Sequence, residues 1–192
     1  LQLIDINDQT LIHINSTLGL IDDYPVDTQI VLDQFNLQPF QSFLADVVNL
    51  QGDLTASIAV AGTLKSPLIN GGLTLNNGTL LLSNNANTFN RIHTSIAIQN
   101  NKATIQGNFF LEEKEAKLMG AISWEESLMI NLNLNAEAIP LVFAPQSVMS
   151  IAPDLNFHLK NKAFTISGDI NVIEGSFNIE KLPVDSVPLS DD

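Results

Sequence analysis

The chain alternates apolar and polar residues with period two over most of its length. Leu54, Ala56, Ile58 and Val60 fall on one side of a strand, with Thr55 and Ser57 on the other. Ala103, Ile105, Gly107, Phe109 and Leu111 repeat the pattern against Thr104, Gln106 and Asn108, and Ala116, Leu118, Gly120, Ile122 and Trp124 follow it. The clearest run is Leu128, Ile130, Leu132, Leu134 and Ala136, opposed by Asn131, Asn133 and Asn135. Phe164, Ile166, Gly168, Ile170 and Val172 close the series against Thr165, Ser167, Asp169 and Asn171. Side chains of a strand point alternately to its two faces, so each run predicts a strand with one apolar and one wet face.

The connections are short and carry turn residues. Asn77-Gly78 predicts a two-residue hairpin, because both positions tolerate positive φ. Asn100-Asn101, Glu112 to Glu115, Glu125-Glu126, Asn161 and Glu174-Gly175 predict further strand breaks. Short turns join antiparallel neighbours. The expectation is an antiparallel meander over about 52–136, resumed over about 154–180.

Two segments depart from this period. Phe40, Phe43, Leu44, Val47 and Val48 have the spacing of an amphipathic helical stripe, which predicts a helix over about 38–49, with Pro39 in its first turn and Asn49 or Gly52 at its end. From Ile139 to Pro153, three prolines space the apolar residues Leu141, Val142, Phe143, Val148, Met149 and Ile151. That stretch reads as an irregular loop packed on the core, or as the lid of an apolar groove.

Glycine recurs in the middle of the apolar faces, in Ile105-Gly107-Phe109, Leu118-Gly120-Ile122 and Ile166-Gly168-Ile170. A strand glycine leaves a gap on the packed face, and its uses are a bend or the close approach of another surface. About twelve strands each carry an apolar face that water must leave. A sandwich, a closed barrel and an open trough covered by a lipid or a peptide all satisfy this, and the pattern taken alone favours a sandwich or a barrel.

Composition narrows the function more than the fold. Hydrophobic residues make up 45% of the 192, with no run near the ~18–20 apolar residues of a membrane-spanning helix. Charged residues are 15%, against a usual ~25%, and they sum to −13. So acidic a surface repels phosphate, which argues against nucleic acid and against anionic headgroups as partners. There is no Cys, hence no disulfide and no thiolate metal site. His13, His93 and His158 are far apart and lack carboxylates at metal-ligand spacing. Asp22-Asp23, Glu112-Glu113, Glu115, Glu125-Glu126 and Asp191-Asp192 read as solvated turns and ends, and Trp124 reads as a core residue. No nucleophile elbow or phosphate loop is present, so no catalytic residue, metal or cofactor is expected. The chain begins inside a strand pattern at Leu1 and reads as a piece of a longer protein.

Two ordered sets of residues resemble a known family. The first is Gly62-Thr63-Leu64, Pro67, Gly71-Gly72, Leu73, Leu75, Gly78 and Leu80, preceded by the expected helix. The second is Pro153-Asp154-Leu155, Ile166, Gly168, Ile170, Phe177, Ile179, Leu182-Pro183, Ser186 and Ser190-Asp191. Together they resemble the C-terminal domain of TamB, an AsmA-like inner-membrane subunit of the bacterial translocation and assembly module, over residues 35–192.

The resemblance implies an all-β fold: a long, antiparallel, curved and half-open sheet (a β-taco), here a single domain over 1–192 with one short amphipathic helix. It implies a periplasmic position in a parent protein anchored in the inner membrane and reaching the outer membrane. It implies phospholipid transport to the outer membrane, assembly of outer-membrane proteins and autotransporters with the barrel partner TamA, or both. The residues expected to line the groove, for acyl chains or client strands, are Leu54, Ile58, Val60, Ile105, Phe109, Leu118, Ile122, Ile130, Leu132, Leu134, Ile166, Ile170 and Phe177. The alternatives are a scaffold or chaperone that offers a free strand edge, at about 1–6 or 175–180, to an unfolded outer-membrane strand, and a plain β-sandwich binding module.

Overall fold

The computed structural model describes residues 2–4, 10–20, 24–83, 87–143 and 147–177, with the side chains of 2–4, 10, 11, 143 and 177 left aside. Asp22-Asp23, Pro145 and everything beyond Phe177, including the Leu182-Pro183 and Ser190-Asp191 motif, lie outside the described residues.

Twelve strands form one sheet: β1 (Gln2–Ile4), β2 (Thr10–Leu18), β3 (Val26–Asn36), β4 (Val47–Thr63), β5 (Ser66–Leu82), β6 (Thr88–Asn100), β7 (Lys102–Leu111), β8 (Lys114–Ser123), β9 (Met129–Ala136), β10 (Ile139–Phe143), β11 (Ser147–Lys160) and β12 (Ala163–Phe177). Every pairing is antiparallel, and from β1 to β9 the pairings follow chain order. β9 and β10 pair with successive parts of the same edge of β11, at Asp154–Lys160 and Ser147–Ile151. They therefore act as one strand interrupted at Glu137 and Ala138. β12 covers the other edge of β11. β1 and β12 lie at opposite ends and do not pair, so the sheet is an open meander and not a barrel.

The tight turns follow the expected chemistry where it is strongest. Asn100 and Asn101 separate Gln99 from Lys102, with Asn100 at φ 56°. Asn161 and Lys162, at φ 52° and 66°, separate Lys160 from Ala163. Two successive residues at positive φ match the twist of flanking antiparallel strands.

Four expectations are corrected. The helix over 38–49 is a short 3-10 helix, Gln38–Phe43, and the chain is already extended at Val47. Val47 and Val48 are β-branched and pairing was available: Val47 faces Leu82, and the Gln41 amide accepts the Leu50 N–H at 3.2 Å and donates to the Val48 carbonyl. An isolated helix of three turns is marginal, and a ladder with a neighbour outcompetes it.

Asn77-Gly78 makes no hairpin. β5 runs straight through it, and the positive φ of Asn77 serves a β-bulge between Leu75 and Gly78. The β4–β5 hairpin instead turns at Leu64-Lys65, between Thr63 and Ser66. Glu174-Gly175 likewise lies inside β12, opposite Ser150 and Met149. Finally, Ile139 to Pro153 is strand on both sides of residues 144–146, not an irregular loop; Pro140 and Pro153 sit within β10 and β11. Proline costs a ladder donor only where its N–H would have faced a partner.

The bulges line up. Gln34 on β3, Gly52 on β4, Asn77 on β5 and Arg91 on β6 all have positive φ, and the register of each adjoining pair slips nearby. A bulge bends its strand and adds local twist. Four in neighbouring strands form a transverse crease across β3–β6.

Candidate functional site

The ladders fix which side chains share a face. One row crosses ten strands: Ile14, Ile30, Ile58, Gly71, Ile98, Ala103, Ile122, Ile130, Leu159 and Phe164. The next runs Ile12, Leu32, Ala56, Leu73, Ile96, Ile105, Gly120, Leu132, Phe157 and Ile166. A third runs Phe35, Leu54, Leu75, Thr94, Gly107, Leu118, Leu134, Leu155 and Gly168. Thr94 is the sole polar side chain in these rows. At ~4.8 Å per strand, ten strands carry such a row roughly 40 Å.

These rows bring together most of the residues expected to line a groove. Ile58, Ile122 and Ile130 share the first row, Ile105, Leu132 and Ile166 the second, and Leu54, Leu118 and Leu134 the third. Val60 lies one step further out on β4, opposite Thr28 and Ile69. Phe109 faces Ala116, and Ile170 faces Pro153. Phe177 is in backbone register with Ser147, and its side chain lies outside the described residues. Sequence reasoning left out the contributions of β2, β3, β5, β6 and β11. The signal was present: Leu155, Phe157 and Leu159 alternate with Asp154, Asn156 and His158 as cleanly as any run in the chain.

The mid-strand glycines sit on this apolar face. A Cβ built on Gly107 would stand 2.8 Å from the Thr94 hydroxyl oxygen and 2.9 Å from the His93 carbonyl. One on Gly168 would run into the Asp154 carbonyl, and Gly168 has φ +127°. The glycines thus let neighbouring backbones close up and remove side chains from the apolar wall.

The opposite face is polar. His13, Ser57, Thr104, Asn131, His158 and Thr165 belong to one of its rows. Asn133 donates to Asp154 Oδ1 at 3.0 Å and to Asn156 Oδ1 at 3.2 Å, and His158 Nδ1 bonds Asn131 Oδ1. Near the crease, a depression on this side is lined by Asn76, Asn77, Thr79, Asn90, Arg91, Ile92 and His93. Arg91 is already engaged there: it pairs with Glu113 at 3.0 Å and lies 3.9 Å over the Phe110 ring. His93 bonds Asn76 at 2.8 Å.

The apolar face is not sealed as a core. Among the described residues, the buried hydrophobics are Ala56, Ala103, Ile105, Leu111, Ala116, Ala136, Ile139 and Ile151, half of them alanine, and no large side chain is fully enclosed. Most of the three rows is only half-buried, and at β12 Phe164, Ile166 and Ile170 are 62%, 54% and 53% exposed. Covering is complete in one place, where Leu111, Ala116, Ala136, Ile139 and Ile151 pack with Phe89, Phe109, Leu134, Leu141 and Met149.

Among the described residues no group of three or more His, Cys, Asp or Glu could hold a metal ion, and no helix is long and apolar enough to cross a membrane. Fold and face together define a class: an open, all-antiparallel sheet with one continuous apolar wall and one polar wall.

Comparison with known proteins gives the family. A family model described as "TamB, N-terminal domain" matches residues 2–75, and one described as "TamB C-terminal domain" matches residues 104–192. The chain belongs to the TamB family. It is 20% identical over 165 residues to the translocation and assembly module subunit TamB of Haemophilus influenzae, covering 85% of this chain and 13% of that protein. The chain thus spans about an eighth of its relative's length. The motif at Gly62–Leu80 falls largely in the first match, and the one from Pro153 onward in the second. No solved structure matches the chain.

Proposed function

We propose that this chain is a segment of an apolar conduit that carries phospholipid acyl chains through the periplasm, within a protein anchored in the inner membrane. The observation that carries the reading is the uncovered wall of three apolar rows crossing nine or ten strands. Each strand adds one to three large apolar side chains to these rows, and each one left in water forgoes up to ~1.5–3 kcal/mol of burial, which favours an occupant. The rows offer the occupant no charge and one hydroxyl, Thr94. An acyl chain asks for nothing more. Its headgroup would remain in water at the open side, and binding would follow apolar area and groove width rather than chemical identity.

A peptide strand is a poorer occupant of this wall. The sheet's N–H and C=O groups are already spent in its own ladders, so a strand lying on the face would bring buried, unpaired backbone groups. The edge is different. β12 presents a 15-residue edge to which no described strand is paired, and this favours a second reading: capture of an unfolded outer-membrane protein strand by edge addition, in concert with an outer-membrane barrel such as TamA. The two readings use different parts of the sheet and are compatible. Neither needs a catalytic residue.

Photoreactive residues placed one at a time over 129–136 in the full-length protein test the first reading. Phospholipid should be captured from Ile130, Leu132 and Leu134 and not from Asn131, Asn133 and Asn135. Capture without that alternation, or none on the apolar side, would rule the conduit out.

A further inference from the structure

The apolar wall is open at β12 and covered at the Leu111 end, and one polar side chain stands at that boundary. β8 reaches only to Lys114, so β10, which continues the course of β9, has no described strand beside it on that edge. A buried strand edge needs partners for its N–H and C=O groups. Asn87 supplies both: its Oδ1 accepts the Val142 N–H at 2.9 Å and its Nδ2 donates to the Val142 carbonyl at 3.2 Å. The carboxamide thereby does for β10 what a backbone peptide of a neighbouring strand would do. Asn87 is only 8% exposed, the buried polar residue among those described.

This bond joins parts of the sheet that are distant in its order. Asn87 leads into β6, and Val142 is on β10, five places further along the sheet order. The β6–β7 ladder already sets Phe89 opposite Leu111, and tying β10 to the start of β6 keeps Ile139 and Ile151 in one cluster with Leu111, Ala116 and Ala136. Phe89 also meets Phe109 edge-on, with ring centroids 5.4 Å apart. The covered end is thus a consequence of β10 leaning across β7 and β8, and the Asn87 amide ties the edge of β10 that faces away from β11 to the start of β6.

We infer that Asn87 is a positioning residue that sets where the accessible groove ends: while it holds Val142, acyl chains reach Ile130 but not the wall beneath β10, and its release extends the groove under β10. The inference rests on the acyl-conduit reading. The occupant at this end is the same acyl chain, since Leu111, Ala116, Ala136, Ile139 and Ile151 offer it only apolar contact.

The test uses the full-length protein with a benzophenone residue at Leu141 or at Ile130 and scores captured phospholipid. Asn87→Ala should raise capture at Leu141 at least severalfold and leave Ile130 unchanged. Asn87→Asp, which keeps the acceptor for the Val142 N–H but loses the donor, should fall between. Hydrogen exchange supplies a lipid-free readout that also serves if one variant fails to fold: the amides of 141–143 should exchange about tenfold faster in Asn87→Ala and by a smaller factor in Asn87→Asp, with 129–136 unaffected. Equal capture at Leu141 and Ile130 in the unaltered protein would overturn the inference, as would unchanged exchange over 141–143 in both variants. Capture at Ile130 with no response at Leu141 would overturn it and leave the conduit standing. No capture at Ile130 in any variant would remove the conduit itself, and the role of Asn87 with it.

Discussion

Gly120 faces Leu132 across β8 and β9 so closely that a Cβ on the glycine would lie 2.6 Å from the Leu132 Cδ2 and would strike the Asn131 carbonyl. The gap is filled by a neighbour's backbone and not by solvent. Gly120→Ala should therefore destabilise the protein by about 1–3 kcal/mol, the usual range for overpacking, although alanine favours folding elsewhere by limiting the unfolded chain. Urea unfolding followed by tryptophan fluorescence would measure it; a change below ~0.5 kcal/mol would show that β9 gives way freely.

The apolar wall makes a test that depends on parity alone. Ile58→Arg and Leu132→Arg put a cation on the wall, whereas Ser57→Arg and Asn133→Arg put it on the opposite face one residue away. The first pair should lower lipid capture along the groove by about tenfold or more, because a charge in an apolar passage must keep its water. The second pair should leave capture within about twofold. Equal losses from both pairs would point to misfolding and away from a conduit.

For the edge reading, β12 is the place to intervene. Replacing Ile166 or Thr165 by proline removes one ladder donor, outward in one case and toward β11 in the other. The variant whose lost N–H faces outward should abolish capture of a client strand and cost little stability. The other should cost ~3 kcal/mol or more. Client capture that survives both would dispose of edge addition at β12.

Gly78 marks the crease. A Cβ there would stand 2.7 Å from the Ile92 Cβ, inside the bulged pairing of β5 with β6. Gly78→Val should flatten or break the crease at a cost of about 2–3 kcal/mol. Small-angle scattering should register a larger maximum dimension, and an unchanged profile would show that the curvature is set elsewhere.

Arg91 offers a contrast. Its pair with Glu113 is mostly in water, at 53% and 89% side-chain exposure, so Glu113→Gln should change stability by less than ~1 kcal/mol. Arg91→Ala should cost somewhat more through the loss of the Phe110 contact. The difference between the two should persist in high salt, which screens the ion pair and leaves the ring contact largely intact.

Much of this architecture was legible from residue order. Strands with one apolar face announced themselves wherever the alternation was unbroken, as in Ile130, Leu132 and Leu134 against Asn131, Asn133 and Asn135. Misreadings fell where a local signal had two structural uses. Asn77-Gly78 supplies positive φ to a hairpin or to a bulge, and the pairing of β5 with β4 on both sides of it chose the bulge. Phe40, Phe43, Leu44, Val47 and Val48 have helical spacing, yet Val47 found a ladder partner in Leu82 and the helix stopped after six residues. The prolines of 139–153 suggested irregularity, and β10 and β11 accommodate them.

The sequence by itself determined that this chain makes antiparallel strands with an oily side and a wet side, because side-chain direction along a strand is a local property with a period of two residues. Only the tertiary structure decided whether those sides would close on each other. Register, aligned bulges and the Asn87–Val142 clasp are contacts between residues far apart in the chain, and they leave one end of the apolar wall covered and the other exposed. No local pattern encodes that difference, since a leucine under β10 and an isoleucine on β12 alternate with polar neighbours in the same way.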